Sequence, residues 1–255
     1  MITMHPLLWS HRLRLSYTVT VALATFAITS PADELRLNNG IVDINQQGEI
    51  KHVIYNDKLM IGKCRLVGEL TDNSKNIAQD WSAKPSLLRN NNTIKINGQM
   101  PGGPTNTVSD DEATFSLFYE ALKDGEFHFE ANVEYLKTSD WNRPFYYYLQ
   151  FPVADYIGGT IAIEGASGKE KTYILSPDTL KINGESKIVT FVKEGESVVI
   201  TASEGSHLLV IDCRAWGEDT IRVDVTADRT WAAVQSLTKG DRDTFGTSVS
   251  FQESH

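Results

Sequence analysis

The sequence predicts an all-β fold, a large antiparallel sandwich of two sheets, on three observations. Apolar residues recur at every second position and not with a helical period, as half-buried strands require. Turn-forming residues interrupt these runs at short intervals. No Pro/Gly/Ser-rich linker divides the 255 residues, so one large β domain accounts for the chain after its N-terminal segment. Hydrophobic residues at 41% against 22% charged are enough to fill a core and argue against disorder. So many strands overfill a simple barrel, which leaves two facing sheets.

The N-terminal segment reads differently. His11, Arg12 and Arg14 precede an apolar, uncharged run, Leu15–Thr29. Ser30-Pro31-Ala32 then places small residues at the −3 and −1 positions, and Asp33-Glu34 opens a polar chain. This order of charge, apolar run and small residues is that of a secretory signal peptide. The run is shorter than the ~20 residues of a spanning helix. Cleavage after residue 32 is therefore expected, leaving 33–255 as a single sandwich domain in a secreted or periplasmic location.

The strands follow in order. Ile50, Val53, Tyr55 and Leu59 surround Asn56-Asp57, a hairpin signal. Thr93-Ile94-Lys95-Ile96 runs to Asn97-Gly98, and Leu180-Lys181-Ile182 to Asn183-Gly184; both dipeptides predict tight turns. Residues 114–122 and 127–133 should pair across Lys123-Asp124-Gly125-Glu126, with Phe127, Phe129, Ala131 and Val133 on the buried face. In the strand after Trp141, Phe145, Tyr147 and Leu149 share one face, and Tyr146, Tyr148 and Gln150 the other. Strands are also expected around 160–164, 187–192, 197–201, 208–213, 220–225 and 247–251.

The formal net charge is −9, and loss of residues 1–32 removes two arginines and no acid. Nucleic acid and anionic membranes are excluded as main partners, since both need a basic footprint. No HExxH, G-x-S-x-G or Walker-type loop occurs, so no cofactor or metal is implied. Two cysteines, Cys64 and Cys213, are open to two readings: a single disulfide, permissible after export, or two separate buried thiols.

The candidate ligand-binding residues are Trp81, Trp141, Arg143, Tyr146, Tyr148, Asp212, Arg214 and Trp216. Trp81 stands in a polar stretch with little core reason to exist. Tyr146 and Tyr148 would project together beside an amide. Flat rings flanked by amides and charges suit sugars, which carry apolar C–H faces and hydroxyl rims. Asp212 and Arg214, two apart, would share a strand face as a ligand-binding or bracing pair, with Arg214 able to stack on Trp216. The acids are too many to single out a glycosidase pair.

Leu37-Asn38-Asn39-Gly40-Ile41-Val42-Asp43, Gly48-Glu49-Ile50 and Ile54-Tyr55-Asn56-Asp57-Lys58-Leu59 resemble the first strands of galactose-mutarotase-like β-supersandwich domains. Phe151-Pro152, Gly158-Gly159 and 212–217 resemble the later part of the same kind of domain. The resemblance implies a domain of the sort found beside catalytic domains in secreted polysaccharide-degrading enzymes. Aldose epimerases of that fold use histidines and a glutamate, and those motifs have no match around His52, His128 or His207. The expectation is a secreted carbohydrate-binding or carbohydrate-associated sandwich without catalysis. The alternatives are a sugar-active enzyme of epimerase or lyase type, and a structural or partner-binding envelope protein.

Overall fold

The computed structural model describes residues 33–71, 76–79, 85–101, 111–123, 125–228 and 234–253. The signal-like segment, Trp81 and Trp231 lie outside the described residues. Among those described, no helix is long and apolar enough to cross a membrane.

Among the described residues, twenty strands, numbered in chain order, form two sheets. The larger, eleven-stranded sheet runs β1 (Asp33–Leu37), β2 (Gly40–Ile44), β3 (Ile50–Tyr55), β5 (Cys64–Leu70), β11 (Ser139–Pro152), β18 (Thr220–Ala227), β17 (Ser206–Asp212) and β14 (Asn183–Ser186). The short strands β4 (Lys58–Ile61), β6 (Asn76–Ala78) and β19 (Gln235–Leu237) pair with β3, β5 and β11. The nine-stranded sheet runs β13 (Glu170–Ile174), β12 (Thr160–Glu164), β15 (Ile188–Lys193), β16 (Glu196–Ala202), β20 (Arg242–Glu253), β10 (Glu126–Tyr135), β9 (Asp111–Ala121), β8 (Thr93–Pro101) and β7 (Ser86–Asn90). All pairings are antiparallel. The one described α-helix is the four-residue α1 (Val153–Tyr156).

Alternation builds the core. Phe127, Phe129, Ala131, Val133 and Tyr135 of β10 face Phe145, Tyr147, Leu149 and Phe151 of β11 within one buried cluster. The Phe129 and Tyr147 rings lie 4.0 Å apart between centroids. Two phenols inside this core need partners. The Tyr119 and Tyr147 hydroxyls sit 3.0 Å apart, and Tyr119 also donates to the Gly48 carbonyl at 2.6 Å.

The turns divide the predictions. Asn56 and Asp57 do form the β3–β4 turn, both with positive φ, 49° and 60°, as a twisted hairpin demands. Gly125, at φ 75°, helps close the β9–β10 hairpin. Asn97-Gly98 is not a turn: it lies inside β8, opposite Ser116 and Phe115. A Cβ on Gly98 would come within 2.6 Å of the Phe115 ring, so the glycine makes room for an aromatic on the next strand. Asn183-Gly184 is likewise extended, opening β14.

Candidate functional site

The outer face of the larger sheet, turned away from the core, carries a cluster of rings and charges at its centre. Three neighbouring strands build it. Tyr148 of β11 lies directly opposite Arg65 of β5 on one side and Asp224 of β18 on the other. Tyr146 lies between Val67 and Thr226, and Gln150 opposite Arg222. Arg143 joins this face through an irregularity. Register shifts fall between Trp141 and Arg143, and between Arg143 and Tyr146. An unbroken strand would put Arg143 on the face opposite Tyr146, three residues away. The bulges turn it to the same side, the re-aiming that bulges perform, while Trp141 stays in the core.

Val67, Ala78, Tyr146 and Tyr148 form a small apolar cluster of their own on this face. Guanidinium groups cover the rings. Arg143 lies 4.0 Å from the centre of the Tyr146 ring, and Arg222 lies 5.5 Å from both rings. Arg65 lies 5.7 Å from Tyr148. The acids tie the cations down. Asp224 is fully buried, accepts from Arg143 Nη2 at 2.5 Å and from Arg222 Nη2 at 3.1 Å, and its other oxygen is 2.8 Å from Arg222 Nε. Glu69 accepts from the Tyr146 hydroxyl at 2.7 Å and pairs with Arg143 at 3.4 Å. Glu49 pairs with Lys63 at 3.2 Å and approaches Arg65 at 4.0 Å.

These contacts set the protonation states. Burial raises both tyrosines: Tyr146 well above the usual phenol range, reinforced by Asp224, and Tyr148 to about 12 against the pull of Arg65. Both stay protonated donors at any ordinary pH. Burial works against the charge on Arg222, but Asp224 and Tyr146 outweigh it and hold the guanidinium more firmly protonated than usual.

The candidates drawn from the sequence separate into four groups. Arg143, Tyr146 and Tyr148 come together here. The tyrosines are not an open platform, however, since their residues are only 2% and 6% exposed beneath the arginines. Trp141 is fully buried, 5.1 Å from the Phe145 ring and edge-on to Tyr135, which removes it as a ligand contact. Asp212 and Arg214 do not share a strand face, because β17 ends at Asp212 and Cys213–Trp216 form a 3-10 turn. Arg214 donates to Asp212 through Nε at 2.9 Å and Nη2 at 2.6 Å, and to the Ser176 carbonyl through Nη1. The Leu180 N–H also donates to Asp212. Burial would raise the Asp212 carboxyl; the Arg214 side chain and the Leu180 and Arg214 N–H groups more than offset it and hold the carboxyl below its usual range. The pair is a brace for the 176–180 segment. Trp216 stands 66% exposed on that turn.

The cysteines are two separate buried thiols. Cys64 lies opposite Leu149, Leu149 opposite Val223 and Val223 opposite Val210, so β11 and β18 stand between β5 and the strand that leads into Cys213. Three strand spacings, roughly 14 Å, far exceed disulfide reach. The histidines do not converge either. His52 neighbours Asp43 at 3.7 Å near one end of the larger sheet, His128 lies on the other sheet, and His207 sits two strands from Tyr146. The members sequence reasoning missed are Arg65, Glu69, Arg222 and Asp224.

No protein-family model matches the sequence, and no curated protein matches it. Solved structures do match. A GalM/aldose epimerase homologue from Caenorhabditis elegans superposes with a TM-score of 0.54 at 11% identity, covering 88% of this chain and all of the other. A galactose mutarotase related enzyme from Lactobacillus acidophilus gives 0.52 at 10% identity, over 88% of this chain and 98% of the other. An alpha-mannosidase from Enterococcus faecalis V583 gives 0.53 at 10% identity, over 88% of this chain but only 29% of its own. Identities this low speak to architecture, and the conclusion they carry is that the chain has a galactose-mutarotase-like β-sandwich fold.

Proposed function

We propose that the chain is a carbohydrate-binding β-sandwich, acting in the secreted or periplasmic compartment its N-terminal sequence implies, and that the sugar docks on the outer face of the larger sheet. One observation carries the reading. Arg65, Arg143, Arg222 and Glu69 present donors and acceptors whose side chains remain 17–30% exposed, held in place over two tyrosine rings. Groups fixed in advance lose little freedom when a polyhydroxylated ligand binds. A non-catalytic role is supported by the charges: Asp224 is sealed between two arginines, and burial keeps both phenols protonated, with pKa values moved further from pH 7. The fold is shared with proteins described as a galactose mutarotase related enzyme and an alpha-mannosidase, which supports a sugar as ligand.

The test is a glycan array probed with the wild-type protein and with Arg65→Ala and Glu69→Gln, each checked for an unchanged melting transition. Wild type should bind at least one glycan class, and each variant should bind it about tenfold more weakly. Loss of neither contact, or no binding at all, defeats the reading.

A second reading, a sugar-active enzyme, is favoured by one feature: Glu69 lies within hydrogen-bonding reach of both Arg143 and Tyr146, an acid beside a cation and a phenol as proton transfer uses. A polarimetric mutarotation assay and an absorbance assay for unsaturated uronate products would detect it. Activity abolished by Tyr146→Phe would move the site from binding to catalysis.

A further inference from the structure

The opposite side of the molecule holds a concavity. It is an open trough of about 670 Å³ on the outer face of the nine-stranded sheet, within the size range of small-ligand sites. Its floor is the sheet itself. Register places five short polar side chains in one row across five strands: Ser86 opposite Asn97, Asn97 opposite Ser116, Ser116 opposite Asn132, and Asn132 opposite Thr244. At one strand spacing per step the row extends roughly 19 Å, and a second row with Gln99 and Thr114 lies beside it.

The trough is lined by one basic and two acidic residues, Arg242, Glu134 and Asp243, in a protein of net charge −9. Its exposed charges cancel: Arg242 donates to Glu134 at 2.9 Å. Asp243, behind them, is buried and accepts from the Tyr135 hydroxyl at 2.7 Å. Elsewhere the same face carries Lys95, Glu120, Glu130 and His128, as a solvated strand face of an acidic protein should. Apart from the Arg242–Glu134 pair, the outward side chains lining the hollow are amides and hydroxyls. The side chains of Gln99, Thr114 and Ser116 form no hydrogen bond among the described residues. Beside the row, two residues along β9 from Ser116, half-buried Phe118 projects from the same face.

We infer that this trough binds a neutral oligosaccharide, laid across the strands along the Ser86–Thr244 row. Neutral sugars need alternating donors and acceptors together with an apolar surface, and amides and hydroxyls supply both kinds of group. An acidic glycan would meet no net positive charge here and would be repelled by the protein as a whole. The site is independent of the arginine–tyrosine cluster, which lies on the other sheet.

Isothermal calorimetry with cellohexaose, xylohexaose, mannohexaose and a galacturonate hexamer tests the inference, using wild type, Asn97→Ala and Asn132→Ala. At least one neutral hexamer should bind, the galacturonate should not bind at this site, and each substitution should weaken the neutral ligand about tenfold. Both side chains are on the outer face, so melting transitions should be unchanged. Absence of binding by every neutral hexamer, or affinity unaffected by both substitutions, overturns the inference. The glycan-array result with Arg65→Ala is read on the other face, so the two readings fail separately.

Discussion

The two outer sheet faces are built on opposite plans. On the larger sheet, long side chains fold down over their neighbours: three arginines cover two tyrosines, and a fully buried aspartate locks two of the arginines. On the smaller sheet, short amides and hydroxyls stand in register and leave a hollow. The first face contributes to the stability of the fold, because its charges lie partly out of water and depend on one another. The second contributes little, because its hydrogen bonds, such as Thr244 to Asn132 at 2.7 Å and Asn132 to Glu130 at 2.8 Å, are exposed to water. A surface of the first kind recognises a ligand with fixed geometry; one of the second kind recognises it by the density of its hydrogen-bonding groups.

Substitutions can break this contrast. The largest effect is expected from Asp224→Ala, which strands two partly buried guanidinium groups and should cost about 3 kcal/mol. Asn132→Ala, at a similar central place on the other sheet, should stay within about 0.5 kcal/mol. Urea unfolding of both variants measures the difference, and equal costs would erase the distinction between the faces. Next comes Gly98→Val. Its side chain would press on the Phe115 ring behind the trough, and crowding of this kind costs about 1–3 kcal/mol; a neutral outcome in the same experiment would show that β8 does not run through the Asn-Gly pair. Tyr146→Phe keeps the ring but removes the hydroxyl bonded to Glu69, with an expected loss of about 1.5 kcal/mol.

The smallest effect concerns pH. Burial lowers the His207 pKa despite Glu185 and Asp228 nearby. Its folded-state pKa therefore lies below the unfolded value of about 6.5, and the unfolded chain takes up the proton first. Stability from this group is present above that pH and declines as pH falls through it and through the folded pKa. Unfolding free energies compared at about pH 7 and about pH 5 should differ less in His207→Asn than in the wild type.

The β architecture was legible because alternation is local: Phe127 to Val133 and Phe145 to Leu149 declare their buried faces within a few residues. The Asn56-Asp57 turn was legible for the same reason. Asn97-Gly98 misled, because its glycine answers to Phe115 on the neighbouring strand, a contact that short-range patterns do not contain. Trp141 and Arg143 misled in another way. Two apart, they should share a face, and only the bulge separates them. The cluster itself was half visible. Tyr146 and Tyr148 stand out as rings on a second face, whereas Arg65, Glu69, Arg222 and Asp224 look like solvated charges until pairing brings β5, β11 and β18 together. Their signal was a pair of charges inside each of two apolar strands, Arg65 and Glu69 in CRLVGEL and Arg222 and Asp224 in TIRVDV, a pattern that surface strands share. Trp81, another aromatic candidate, lies outside the described residues.

The most direct measurement of the sugar-binding claim is an amide chemical-shift map of the 15N-labelled protein titrated with a glycan selected on the array. The account predicts the largest shifts at Arg65, Glu69, Arg143, Tyr148 and Arg222. Saturable binding that leaves all five unmoved would contradict it.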